Sequence, residues 1–417
     1  MDKPLKILVV SQYFWPENMR INNMVEGFIA KGHEVTILTG QPNYPEGQVF
    51  PEYRKNPDFY SSYFGAEIYR VPMLARGRRS ITLALNYLSF FSSASTIGAY
   101  KLREKHFDAI FVYAVSPIMA AIPALVIGRL KKSPVFLWVL DLWPETLGAV
   151  GIIKNRKIIG LVGKLVSWIY NRTDYLLLQS KSFEENIKNY CTKYIAPERV
   201  VYFPSWAEDD FSADVATPSD ILERDDSTFT IVFAGNLGDA QDFPTILRAV
   251  ETLKSEFPLR WIIVGDGRAS NWLHEQVAAR GLDNVFLLGR HPLEKMPPLF
   301  AAADALLVSL KTNEVFEKTI PGKVQAYLAS GKPILAMIEG EAARVIEDAG
   351  AGMTCNSGDS DGLASIVRSM AALSPAQHQT MGASGRNFYF ENFSKDKLFD
   401  RLEKLFRHAR LRSKDEK

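Results

Sequence analysis

Four segments in the second half of the chain carry residues suited to holding a polyanion. They read FAGNLGDAQDF (233–243), VGDGRAS (264–270), LLGRHPLEKMP (287–297) and EVFEKTIPGKVQAYLASGKPIL (314–335), and each lies at the end of an apolar run. Gly235 and Gly238 let the backbone approach a bulky anion, and a helix beginning near Asp242 would direct free amides at it. In TIPGKVQAY, Pro321 suits a first helical position and the amides around Gly322 and Lys323 would face the same ligand, with Lys323 adding a full positive charge. A glycine after a strand is also ordinary turn chemistry, so no segment decides alone. Four of them opening on one cleft point to a nucleoside diphosphate.

The first half offers a different set. After the apolar run LKILVV, the segment SQYFWPENMRINNM (11–24) stands where a dinucleotide-binding fold would place glycines, and none occurs before Gly27. A dehydrogenase or nucleotide-sugar epimerase is disfavoured on that ground. Asn18, Asn22 and Asn23 can donate and accept, Arg20 can bind phosphate, and Glu17 stands among them. Phe14 and Trp15 offer faces for a sugar or pack in the core. Asp141, in DLWPETLGAVG (141–151), is either a carboxylate of the site or a helix cap before Trp143 and Pro144. The DxD of Asp359 and Asp361 sits in SGDSDG and reads as a solvated loop rather than a metal site.

Strands must position these loops. The runs KILVV, EVTILT, AEIYRVP, FDAIFVY, PVFLWVLD and DYLLLQS alternate with longer amphipathic segments, and after residue 227 the alternation resumes with FTIVFAGN, LRWIIVGDG, NVFLLG, DALLVSL and GKPILAM. Such alternation predicts an α/β fold of two Rossmann-like domains, with parallel sheets facing a central cleft. The expected boundaries are an N-terminal domain over 1–199, a linker over 200–227 rich in Pro, Ser and acids, a C-terminal domain over 228–390 and a C-terminal helix over 391–417.

The bulk composition agrees with two packed cores: 417 residues, 47% hydrophobic and 23% charged. Cys191 and Cys355 are the two cysteines, without CxxC spacing, so neither a disulfide framework nor a zinc site is expected and a reducing, cytoplasmic setting fits. The apolar run in MDKPLKILVV is too short for a signal peptide. Residues 1–205 carry 25 Lys and Arg against 16 Asp and Glu, while the remainder carries 24 against 31. The basic first half therefore suits an anionic partner, although Lys-rich helix surfaces would give the same count. The uncharged stretch ITLALNYLSFFSSASTIGAY (81–100) is too weakly hydrophobic for a spanning helix. It reads as a helix either buried between layers or lying in a bilayer interface, flanked by the basic ARGRRS and KLREKH.

GNL, VGDG, LLGR and the ASGKPIL helix end, in this order and spacing, resemble the retaining family-four glycosyltransferases of the GT-B fold, and the resemblance extends over essentially the whole chain, including GFIAKGHEVTILTG (27–40). YFWPENMRINN, DLWPETLGAVG and TIPGKVQAYLASGKPIL look more like a branch that builds bacterial O-antigen or capsule repeats, including L-fucosamine transferases. The resemblance implies a second domain that binds a UDP-sugar and a first domain that receives the acceptor. It implies transfer with retained anomeric configuration through an oxocarbenium-like transition state, the departing diphosphate oxygen helping to take the acceptor proton. Cations and oriented amides around the diphosphate would then do the catalytic work, with no cofactor and no metal required. The donor would carry an N-acetylated amino sugar such as N-acetyl-L-fucosamine, and the acceptor a polyprenyl-diphosphate-linked sugar at the inner face of the cytoplasmic membrane. No nucleic acid is implied.

The chain also departs from that family. The Arg and Lys usual in the loop that here reads GNLGDAQ are replaced by Asn236 and Gln241, so Lys323, with Arg290 or Arg20, must supply charge. The paired glutamates of the family fall on Lys318 and Ala326, or, shifted by one, on Glu317 and Gln325. A first-domain His falls on Leu140, leaving Asp141. The resulting candidates are Asp141, Glu317 and Lys323 for catalysis; Gly235, Asn236, Gln241, Gly265, Arg290, His291, Thr319, Ile320, Pro321, Gly322 and Gln325 for the nucleotide sugar; and Glu17, Asn18, Arg20 and Asn22 for the acceptor. The departures keep open a non-catalytic sugar-nucleotide-binding assembly subunit as the alternative.

Overall fold

The computed structural model describes residues 3–77, 80–149, 155–191, 196–211 and 218–415. The chain divides into two compact units, Met1–Phe203 with Leu398–Lys417, and Pro204–Lys397.

Among the described residues, the first unit builds on eight strands: β1 (Lys6–Ser11), β2 (Glu34–Gly40), β3 (Ser62–Tyr63), β4 (Ala66–Val71), β5 (Ala109–Ala114), β6 (Val135–Val139), β7 (Tyr175–Leu178) and β8 (Val200–Tyr202). Their order in the sheet is β3-β4-β2-β1-β5-β6-β7-β8. All pairings are parallel except β3 with β4. Central β1 aligns Val9 with Ile37 on one side and Phe111 on the other, and Ile7 to Val10 are wholly buried. That is why these strands read as unbroken apolar runs: a parallel sheet is covered on both faces.

The covering helices used below are α1 (Arg20–Ala30), α2 (Ser80–Ser93), α3 (Ala121–Lys131) and α4 (Arg156–Tyr170). In α2, Asn86, Tyr87 and Phe90 are buried while Ile81, Leu85 and Leu88 are exposed. The 81–100 stretch is therefore amphipathic in place, with its helix packed by one side only. Arg78 and Arg79, in the basic flank before it, lie outside the described residues. No described helix is long and apolar enough to cross a membrane.

The second unit has six described strands, β9 (Phe229–Ala234), β10 (Leu259–Val264), β11 (Val285–Gly289), β12 (Ala305–Ser309), β13 (Ile334–Met337) and β14 (Gly352–Cys355), in the order β11-β10-β9-β12-β13-β14 and all parallel. Helices α5 (Phe243–Leu253) and α6 (Gly322–Ser330) follow β9 and β12. The final helix, α7 (Lys395–Asp415), carries its buried residues into the first unit. There the Phe406 ring lies 4.6 Å from that of Phe136 and 5.8 Å from that of Phe28, and Arg410 pairs with Asp108 at 2.9 Å.

The stretch read as a linker is more ordered than its composition indicates. Val200–Tyr202 forms the edge strand β8, and Phe211 and Leu222 are buried in the core of the second unit. A few apolar side chains among Pro, Ser and acids suffice to pack it; residues 212–217 lie outside the described set.

In each sheet the first strand in sequence is flanked by one strand on either side whose connections leave in opposite directions. Such a reversal opens a crevice at the carboxyl ends of the strands, where ligands of α/β sheets bind. The reversal falls between β1 and β5 in the first unit and between β9 and β12 in the second. The loops singled out by sequence follow these strands.

Candidate active site

In the second unit, β9, β10 and β11 all run into glycines of positive φ: Gly235 at 141°, Gly265 at 142° and Gly289 at 69°. Gly235 N–H donates to Val264 O (2.9 Å) and Gly265 N–H to Gly289 O (2.8 Å), so the three turns stack edge to edge. A Cβ on Gly265 would lie 1.8 Å from Gly235 O; the stack has no room for a side chain. VGDG then braces the GNLG loop, since Leu237 N–H donates to Asp266 O (2.9 Å). Gln241 holds the loop's far end, its Oε1 accepting from Gly238 N–H at 3.0 Å and its backbone carbonyl from the Ser309 hydroxyl at 2.7 Å. Lys311 N–H donates to Ala240 O (2.8 Å), tying this loop to the one after β12. Asn236 is exposed on it.

Lys323 closes over this platform. Its Nζ lies 3.6 Å from the centroid of the Phe233 ring, and a Cβ on Gly235 would come within 2.5 Å of its Cε. Among the described residues no carboxylate reaches it, and burial pushes the ammonium down to about 7. It sits in the first turn of α6, where backbone amides lack intrahelical acceptors and the helix dipole is positive. Pro321 is the residue capping this helix, with extended backbone, and Gly322 is the first helical residue, one position later than the sequence predicts. Gln325, on the same helix, is wholly buried, and among the described residues neither its Oε1 nor its Nε2 has a hydrogen-bond partner.

The remaining second-unit candidates are placed less favourably. Glu317 ends a short helix, Glu314–Glu317, and is half-buried. The Thr319 hydroxyl donates to Val315 O (2.8 Å), and Ile320 is buried in the apolar core, so its side chain contributes packing. Arg290 is exposed and His291 half-buried, the latter with Nε2 3.0 Å from Leu288 O. Asp359, of the DxD, caps the helix Ser360–Ala371, accepting from Gly362 N–H at 2.8 Å.

In the first unit the loop after β1 is held from inside by two of its own polar residues. Glu17 is 2% exposed; its carboxylate accepts from Phe14 N–H (3.0 Å), Asn43 N–H (2.8 Å) and Tyr44 N–H (2.7 Å). Burial raises its pKa to about 7 against the opposing pull of those amides and of Arg70. Asn22 accepts from Trp15 N–H at 3.2 Å and donates to Glu17 O at 2.8 Å. Phe14 is wholly buried and belongs to the core, whereas Trp15 sits in a cluster with Phe59, Tyr60 and Tyr63, its ring 4.9 Å from that of Tyr60. Asn18 is exposed.

Asp141 follows β6 and is half-buried. Burial lifts its carboxyl to about 7, with no opposing interaction. Arg20 and Asp141 both act on the Tyr113 hydroxyl, Arg20 favouring and Asp141 opposing its ionisation. The fold thus brings residues 20, 113 and 141 to one end of the sheet. Two residues unmarked by sequence also serve this region. Arg70 donates to Gly40 O (2.8 Å) and to Trp15 O, and Arg76 lies 5.2 Å over the Tyr44 ring and lowers the hydroxyl pKa of Tyr13 against the rise caused by burial. A lone arginine on a strand or in a loop gives no sequence signal of such bracing.

A glycine platform, a helix N-terminus and a lysine without a carboxylate partner among the described residues have the chemistry to hold an anion at the end of a parallel sheet. Residues 228–372 match the family model of group 1 glycosyl transferases. This part of the second unit is thus similar to group 1 glycosyl transferases. The chain is 27% identical over 341 residues to the colanic acid biosynthesis glycosyl transferase WcaI of Escherichia coli (strain K12), covering 78% of this chain and 82% of that protein. HepE of Anabaena, solved with UDP and glucose, superposes with a TM-score of 0.65 at 14% identity, covering 96% of this chain and 99% of HepE. A glycosyltransferase from Rickettsia africae ESF-5 does so with a TM-score of 0.66 at 14% identity, over 98% and 99% of the two chains. The architecture of two parallel-sheet, Rossmann-like units is that of these GT-B neighbours.

Proposed function

We propose that the protein is a retaining glycosyltransferase that moves a sugar, an N-acetylated amino sugar such as N-acetyl-L-fucosamine, from UDP to a polyprenyl-diphosphate-linked acceptor in surface-polysaccharide synthesis. The observation that carries this reading is Lys323. A buried ammonium with no carboxylate partner, at a helix N-terminus over a glycine turn, is costly until an anion arrives. A sugar nucleotide's diphosphate meets that need, and the negative charge growing on its bridging oxygen as the glycosidic bond breaks strengthens the interaction in the transition state. The Gly235–Gly265 stack lets the nucleotide approach the backbone, whereas Gln325, wholly buried, presents no surface to it. Asp141 and Arg20 receive the acceptor, with Glu17 and Asn22 holding the loop that presents Asn18. No step in this chemistry requires a metal.

The match to a group 1 domain supports sugar transfer; the relative named for colanic acid biosynthesis supports the polysaccharide setting. The deciding experiment is UDP release across a panel of UDP-sugars, with and without a lipid-linked acceptor. Acceptor-dependent release that falls about a hundredfold or more in Lys323→Ala is the expected result. UDP binding without release from any donor would favour a non-catalytic assembly subunit.

A further inference from the structure

A cavity of about 910 Å3 opens in the first unit, away from the loops described above. Its lining includes the end of α3 and the starts of β6 and β7, so it lies at the opposite end of the strands from Asp141. Five cations line it, Arg129, Lys132, Arg172, Arg199 and Arg412, against a single acid, Asp174. Arg199 is 3.5 Å from Asp174 and Arg412 is 3.4 Å from Glu198. Arg129, Lys132 and Arg172 have no carboxylate partner among the described residues, and Arg172 instead lies 4.6 Å over the Trp168 ring. One or two cations at a helix C-terminus are ordinary; five around one cavity call for an anion.

Trp168 also belongs to a second feature. Helix α4, RKIIGLVGKLVSWIY, contains no acidic residue. It exposes Ile158 (46%), Leu161 (67%) and Trp168 (38%), which helical periodicity sets on one side, with exposed Arg156, Lys157 and Lys164 on the same helix. An apolar ridge ending in tryptophan and bordered by Lys and Arg is the pattern of a helix lying in a bilayer interface. A soluble anion would use the cavity and leave the ridge unexplained.

We propose that this edge of the first unit docks on an anionic bilayer, the Ile158–Leu161–Trp168 ridge entering the headgroup boundary and a phospholipid headgroup phosphate seated among Arg129, Lys132 and Arg172. The proposal goes beyond the transferase reading, and its test needs no donor or acceptor, so the two can fail separately.

The test is co-sedimentation of the full-length protein with vesicles of phosphatidylcholine alone or mixed with phosphatidylglycerol. Wild type is expected to bind the anionic vesicles and release in high salt. Arg129→Ala with Lys132→Ala is expected to lower partitioning roughly twenty-five-fold, each headgroup-facing cation contributing about fivefold. Leu161→Asp is expected to lose binding, while Ile81→Asp on α2 keeps it. All substituted side chains are exposed, so an unchanged melting temperature verifies folding. Equal binding to neutral vesicles, wild-type binding by the Arg129/Lys132 variant, or loss in Ile81→Asp instead of Leu161→Asp would each overturn the proposal. So would a cavity that serves a soluble anion: inorganic phosphate stabilising the wild type while Leu161→Asp still binds vesicles. Vesicle binding without UDP release would retain the docking surface and remove the transferase reading.

Discussion

At the scale of single residues, burial sets the protonation of the groups that matter. Lys323, pushed down to about 7, is largely neutral in the free protein at about pH 8 and regains its proton when a diphosphate binds. UDP binding at that pH is therefore expected to take up about one proton, and UDP affinity to fall as the pH rises above 7. Calorimetry in buffers of different ionisation enthalpy measures the uptake, which Lys323→Met should abolish. Glu17 carries the opposite shift, from 4.5 to about 7. Its folded-state pKa exceeds the unfolded one, so its contribution to stability is fully present below pH 4.5 and is lost as the pH rises toward 7. Glu17→Gln should flatten that slope. Glu17→Ala strands three buried amides and should cost about 3 kcal/mol, read as a lower denaturant midpoint.

At the scale of elements, the strands and their order of appearance were legible because buried parallel strands are continuous apolar runs. Less legible were β3, β8 and β14. Two are only two or three residues long, and β14, GMTC, is half-buried and mixed in character. The glycine turns were legible as turns, but their mutual stacking was not, because it joins residues about thirty positions apart through backbone atoms alone. Gly265→Ala should therefore do more than restrict one turn: with a Cβ 1.8 Å from Gly235 O it should displace the GNLG loop and abolish UDP binding. Gly235→Ala meets the flexible end of Lys323 instead and should weaken binding while leaving the unit's melting transition closer to wild type. Titration with UDP alongside thermal melting separates the two. For the same reason Glu17 read as a ligand from sequence and is a brace in the structure: its partners Asn43 and Tyr44 stand in the loop after β2, 26 and 27 residues on.

At the scale of the whole molecule, composition showed two halves of different charge, and the fold assigns the chain to two units with a boundary near residue 203 and a return near 398. Amphipathic periodicity in the C-terminal segment marked a helix without naming what it would cover. That cover is the first unit's own core: Phe399, Leu402 and Phe406 are at most 2% exposed. Phe406→Ala should destabilise this unit by about 3–5 kcal/mol, seen as an early melting transition with the second unit's UDP-stabilised transition unmoved. The return of α7 also orders events during synthesis. The second unit is contiguous in sequence, whereas the first unit, although translated first, must wait with part of its aromatic core uncovered until residues 398–415 emerge. The head start of an N-terminal domain is thereby lost, and the nascent first unit keeps apolar surface exposed until α7 has been made.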